Sequence, residues 1–551
     1  MKRRNLFVFI SVLVVLSMFL AACKKETPVP TAVMTEEPMV FEPCSNGTLI
    51  RSIEALDSRT VEFTMCVPDP AFLSKIAFSP FAIYSKEWLE ANTAAGSRLE
   101  KPLGTGPYMV SEWSRGDSLT FTRFADYYGD APEADTLVFR WSTESAARLL
   151  ELQAGTIDGI DNVAPDDFAK VEADSDLQLV IRPALNVFYI GTNNTFPPFD
   201  DVRVRQAVAM GIDRQQIVDT FYPPGSEVAS HFTPCSIPNG CTGDAWYDFD
   251  ADAGKALLAE AGFPDGFETK LYYRDVVRGY LPEVARVAEE IQAQLKANLN
   301  IDAVIEVQES GTFIANANAG SLDGFHLLGW GADYPHITNF LDFHFSGNKQ
   351  QFGDPHPEIY EVLAEAAQIA DADDAEPMYV EANNMIRELV PMIPVAHGGS
   401  ATAYRADVDN PQASPLTDEL FKASDPGGRD TFVWMQNAEP ISLFCADETD
   451  GESLRACEQV MESLYGYEIN GTAVHPLLAE SCDPNEDLTV WTCTLRQGVK
   501  FHDGSDFDAD DVVATFTANL DINSPLHVGN TGAFEYWISL WGNLWGAPAP
   551  E

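Results

Sequence analysis

Residues 329–340 read G-W-G-A-D-Y-P-H-I-T-N-F, and the apolar residues Phe325, Leu327 and Leu328 lead into them. An apolar strand that breaks into a glycine-flanked loop would hold Asp333 between the rings of Trp330 and Tyr334. One acid between aromatic surfaces suits capture of an organic cation, by charge pairing and by the attraction of a cation to a ring face. From the residues alone, the plainer alternative is a core strand that ends in a turn.

Other constellations carry less. His326, His336 and His344 could ligate a metal, but their spacing of ten and eight puts them on no common helical face. Asp248, Asp250 and Asp252 suggest a calcium loop, yet the glycine and glutamate such a loop needs are missing, so they read as the start of a helix over 255–261. His397-Gly398-Gly399-Ser400 is like an oxyanion loop; with no G-x-S-x-G elbow in the chain, it reads as a turn at a strand end. Arg203 and Arg205 could hold an anion and read better as structural ion pairs at a domain junction. No catalytic residue, metal site or cofactor is therefore assigned, and the chain reads as a binder rather than an enzyme.

The elements that must position these residues belong to a long chain. At 551 residues it exceeds one core and calls for two or three domains. A formal net charge of −50 excludes a basic nucleic-acid face and would concentrate cationic ligands in a cleft. Residues 1–22 read as an export signal, with Lys2, Arg3 and Arg4 before an apolar run over 6–20. The run is shorter than the ~20 apolar residues of a membrane span, and it ends in L-A-A-C, which resembles a lipobox that would place a lipid on Cys23. Residues 23–42, rich in Pro, Thr and charge, read as a flexible tether. Of nine cysteines, the eight beyond Cys23 fall into near neighbours. Loop closure is least costly for such neighbours, so Cys44 is expected to pair with Cys66, Cys235 with Cys241, Cys445 with Cys457 and Cys482 with Cys493.

Alternation over 60–67 predicts a strand pairing back on 49–56. Gly104, Gly106 and Pro107 predict a hinge-like turn before the next strand. A stripe of Ala146, Leu149, Leu150 and Leu152 predicts a helix stopped at Gly155. Asp200 and Asp213 are placed to cap successive helices, and further helices are expected over 284–295, 358–370 and 378–389. The aromatic tail 537–551 stays unplaced.

The stretch 329–340, with I-E-A-L-D-S-R-T-V-E-F-T, G-T-G-P-Y-M-V-S-E-W, F-A-D-Y-Y-G and the run 188–213, resembles solute-binding protein family 5, the peptide-binding receptors of ABC importers. The resemblance implies an α/β, two-lobed, hinge-closing periplasmic-binding-protein fold of type II with an extra small subdomain. It implies that Asp333 pairs with a ligand's α-ammonium group and that Trp330 and Tyr334 wall the pocket. R-G-Y-L-P at 278–282 is similar to the R-P-Y-x-P of dipeptide-binding members, in which the Arg contacts the ligand carboxylate, here Arg278; Gly279 departs from the usual Pro. The implied partners are a peptide and membrane permease subunits, for a monomer exported and lipid-anchored at the outer face of the membrane, with no nucleic acid. A sugar or metal-chelate receptor of the same family, or a secreted hydrolase, are the alternatives.

The order of the blocks departs from the family. Residues 431–513 resemble its mature N-terminus but come last, so the chain is expected to be circularly permuted, with the usual ends joined at 425–428. That divides it into 43–180 as the first part of lobe 1, 181–390 as lobe 2, 391–428 returning to lobe 1, and 429–551 completing lobe 1.

Overall fold

The computed structural model describes residues 39–40, 44, 46–94, 96–276, 278–345, 351–353, 356–369 and 371–549. The export signal, Cys23 and most of the tether lie outside the described residues.

The strand expected over 60–67 is Thr60–Met65, whose T-V-E-F-T-M alternation buries every second side chain. It pairs antiparallel with Ile50–Asp57 on one side and with Val490–Leu495 on the other, setting Trp491 opposite Phe63. Met39–Val40 and Ala479–Pro484 complete this five-stranded sheet at its two edges. A seven-stranded sheet runs in the order Tyr108–Ser114, Ser118–Arg123, Thr136–Trp141, Thr431–Gln436, Gly159–Ile160, Ser400–Arg405, Leu177–Arg182. The late strand Thr431–Gln436 thus lies in the middle, parallel to both of its neighbours. Both sheets close on one large apolar core, and together they form lobe 1.

Lobe 2 has its own core around a six-stranded sheet: Glu227–Val228, Met392–His397, Asn186–Thr192, Phe325–Gly331, Glu268–Arg274 and Asp302–Gln308. Met392–His397 pairs with Asn186–Thr192, so the return to lobe 1 falls at Gly398–Gly399 and not at 390/391. Its six side chains are all buried, which erases the alternation that would have marked a strand of this sheet. The backbones crowd at the crossing: a Cβ at Gly398 would lie 2.1 Å from the Gly279 carbonyl oxygen, and one at Gly399 2.6 Å from that of Gly225.

Many acids of this chain act as helix N-caps, including Asp213, Asp250, Asp371, Asp450 and Asp508. Asp201, not Asp200, caps Val202–Gly211, its carboxylate accepting from the Arg203 N–H. Asp250 starts its helix at Ala251, earlier than the sequence suggested. The turn expected at Gly104, Gly106 and Pro107 does lead into the strand Tyr108–Ser114, but it is packed within lobe 1, where a Cβ at Gly104 would lie 2.0 Å from the Val460 carbonyl oxygen. Arg203 pairs with Asp201 on the surface, while Arg205 donates to the carbonyls of Phe199, Leu389 and Val390.

All four disulfides join the near neighbours: Cys44–Cys66, Cys235–Cys241, Cys445–Cys457 and Cys482–Cys493. The unplaced tail is a core element. Its helix Glu535–Trp541 buries Trp537 and Trp541 in lobe 1, Trp545 follows, and the Trp545 indole N–H donates to the Ile50 carbonyl at 2.8 Å. Asn543 N–H donates to Gly47 O at 3.1 Å, and the Asn46 amide to Leu544 O at 3.0 Å, so the first and last described parts of lobe 1 lie side by side.

Candidate functional site

The apolar strand Phe325–Gly331 runs inside the lobe 2 sheet, buried until its last two residues, and emerges toward lobe 1. There the chain turns through Ile337–Asn339 and enters the short helix Leu341–Phe345. His336 caps the turn by accepting from the Thr338 N–H. One side chain organises the loop: Asn339 Oδ1 accepts from the Trp330 indole N–H at 3.0 Å and from the Asp333 backbone N–H at 3.1 Å. Its Nδ2 donates to Asp333 Oδ2 at 3.2 Å, so the carboxylate is held by a neutral amide. The Trp330 ring stacks on Phe343 at a centroid distance of 4.0 Å.

These residues line one wall of a cleft of about 940 Å³ between the lobes. Trp330, Asp333, Tyr334, Asn339, Asp342 and Phe343 come from lobe 2. Val67, Asp69, Lys75, Thr449, Tyr536 and Leu540 face them from lobe 1. Tyr334 crosses the gap: its ring is buried in the lobe 1 core and its hydroxyl lies 3.2 Å from that of Thr338. Lys75 Nζ is 5.7 Å from the centre of the Tyr334 ring and 5.3 Å from that of Trp541.

The cleft is acidic, and its cation is engaged. Lys75 pairs with Asp69 at 2.8 Å, both side chains nearly buried. Asp333, half-buried, makes no ion pair among the described residues; burial pushes its carboxyl up to about 6, and the Asn339 amide offsets only part of that. Burial likewise pushes Asp342 up to about 7, against the opposing pull of Lys75. A cationic ligand would supply the charge that Asp333 lacks among the described residues.

The structure brings Trp330, Asp333 and Tyr334 together and leaves Arg278 out. Arg278 is exposed in a tight turn, where Leu281 N–H donates to Arg278 O at 2.9 Å, and it is not among the cleft-lining residues. The turn does reach the signature strand through Tyr280, whose ring leaves no room for a Cβ at Gly329. His326 and His336 are pushed down to about 4 by burial, and no group of His, Cys, Asp or Glu disposed to hold a metal occurs among the described residues. Asn339, Asp342, Lys75 and Tyr536 were missed by sequence reasoning. Only Lys75 carried a signal, as a lone cation in the apolar run F-L-S-K-I-A-F.

The model of the family described as bacterial extracellular solute-binding proteins, family 5 Middle, matches residues 15–352 and 473–535. The dipeptide-binding protein of Escherichia coli K12 is 29% identical over 393 residues, 69% of this chain and 72% of that one. Heme-binding protein A of Haemophilus influenzae is 30% identical over 382 residues, 68% and 69% of the two chains. Among solved structures, a dipeptide-binding protein of Pseudoalteromonas in complex with Met-Leu superposes with a TM-score of 0.55 at 28% identity, covering 67% of this chain and 74% of that one. The chain belongs to family 5 of the bacterial extracellular solute-binding proteins and has that family's two-lobed α/β fold.

Proposed function

We propose that this protein is an extracytoplasmic receptor that binds peptides by their free α-ammonium group and delivers them to the permease of an ABC importer. The carrying observation is Asp333, a half-buried carboxyl in the cleft that is held by Asn339 and has no ion-pair partner among the described residues. Peptides differ in their side chains but share an ammonium and a backbone, so one fixed acid gives both affinity and register. Relatives and a liganded structure named for dipeptides support this substrate class. A cleft of about 940 Å³ has room for a ligand of a few residues. Because Tyr334 already reaches the lobe 1 core, entry of a ligand requires the lobes to part about the crossings at 183–185 and 398–399. No covalent step is needed.

Two further features complete the reading. The leader and L-A-A-C motif make Cys23 the lipid-anchored residue, with residues 24–42 as tether. The chain is a circularly permuted family member: the late strand Thr431–Gln436 at the centre of the lobe 1 sheet and the adjacency of 46–48 with 542–545 both support that history.

Native mass spectrometry of protein purified from its own host tests the function. Peptides with free amino termini are the expected co-purified ligands; a sugar or a chelate in their place would overturn it.

A further inference from the structure

A second cavity, of about 310 Å³, lies within lobe 1 and shares no lining residue with the interlobe cleft. Its wall draws on both sides of the 425–428 turn, and Leu420, Met461, Ile469 and Leu477 make much of it apolar. Against this apolar wall stand the carboxyls of Asp418, Glu458, Glu462 and Glu468, one ammonium, Lys422, and His475.

Two of these acids are visibly provided for. Glu462 accepts from the Tyr127 hydroxyl at 2.8 Å, the Tyr128 hydroxyl at 3.1 Å and the Thr105 hydroxyl at 2.8 Å. Asp418 accepts from the Ser414 hydroxyl. Lys422 approaches Tyr127 on the Glu462 side, its Nζ 3.4 Å from the hydroxyl and 5.5 Å from the ring centre, and its charge acts on Glu462. Glu458 has no ion pair among the described residues, and burial, with Asp418 adding, drives its carboxyl well above the usual range.

An independent observation points the same way. Gln412 is fully buried in the wall; its Nε2 donates to Asn410 O at 3.0 Å, which fixes Oε1 as an acceptor, and Oε1 receives no hydrogen bond. His475 Nδ1 is also buried without a partner. Acceptors thus outnumber donors in a space with apolar sides, and no described cluster of His, Cys, Asp or Glu is disposed for a metal ion. We propose that this cavity is a second binding site, for a small organic cation of the alkylammonium or diamine class, whose nitrogen is received by Glu458 and Asp418 with Gln412 Oε1. The proposal does not depend on what the interlobe cleft binds.

The test is calorimetric titration of 1,4-diaminobutane into the full chain carrying Asp333→Asn, which removes the carboxyl proposed to take an ammonium in the cleft. One equivalent is expected to bind, and adding Glu458→Gln should weaken it at least about tenfold, the scale of one charge-assisted hydrogen bond. Gln412→Leu, which leaves every carboxyl in place, should weaken it severalfold and decides the matter if Glu458→Gln does not fold. Peptide affinity should be unchanged by Gln412→Leu in the otherwise native chain. No binding to the Asp333→Asn protein, or binding indifferent to both cavity substitutions, would overturn the proposal; failure of peptides to bind would leave it standing.

Discussion

Asp161 and Asp333 are carboxyls withdrawn from water, and they titrate in opposite directions. Burial alone pushes Asp161 up, but the guanidiniums of Arg455 and Arg182 outweigh it and hold the carboxyl down to about 2. Asp161 Oδ1 meets Arg182 at 2.8 Å and Oδ2 meets Arg455 at 3.0 Å, while Glu419 bridges the same two arginines from the other side. Asp333 has a neutral amide in place of the arginines, and its carboxyl rises to about 6. The network in lobe 1 satisfies its charge internally and becomes structure. In the cleft Asp333 makes no ion pair among the described residues, which is why it is proposed as the site.

The largest test of this contrast removes a whole side of that lobe 1 network. Truncation after Gly428 takes away Arg455 and the strand between Thr136–Trp141 and Gly159–Ile160, exposing apolar sheet on both neighbours. The remaining fragment should aggregate or melt without cooperativity; a cooperatively folding, peptide-binding fragment would refute the split lobe. Next in size is Arg455→Met, which leaves Asp161 and Glu419 buried with one arginine between them. Urea denaturation should show a loss of about 3–5 kcal/mol, the cost of breaking a buried charge network.

Acid should separate the two carboxyls. Asp161, depressed in the folded state, contributes stability above its unfolded value that is lost as pH falls toward 2. Asp333, raised in the folded state, favours folding only below its unfolded value; its contribution is lost as pH rises toward 6, by roughly 1–3 kcal/mol after allowance for partial exposure. Asp333→Asn should flatten that part of the stability profile. Because an ammonium requires ionised Asp333, peptide affinity should rise about tenfold between pH 5 and pH 7. The smallest effect belongs to Arg278→Ala: on an exposed turn outside the cleft, it should change peptide affinity by less than about 0.5 kcal/mol, measured by the same titration.

What the sequence discloses follows from how locally each feature is determined. Thr60–Met65 alternates because one face is buried, and cysteines six to twenty-two residues apart pair as neighbours, so both were legible. Met392–His397 is buried on both faces and keeps no alternation, which hid its place in lobe 2. Trp537 and Trp541 had helical spacing, but their partners, Phe72, Phe81 and Phe516, stand far away in the chain. Asp333 stood out in the sequence as an acid flanked by Trp330 and Tyr334, and all three line the cleft. Asn339, which fixes Asp333, did not, because a single amide gains its role only when Trp330 N–H and Asp333 are brought to it.

The central claim is that Asp333 receives a ligand ammonium. A double comparison tests it most directly: a free-amine dipeptide and its N-acetyl form titrated into the native protein and into Asp333→Asn. The native protein should prefer the free amine by about 1.5–3 kcal/mol, the worth of a hydrogen bond between charged partners, and Asp333→Asn should abolish that preference. Equal affinity of the native protein for both ligands, or a preference that survives the substitution, would contradict it.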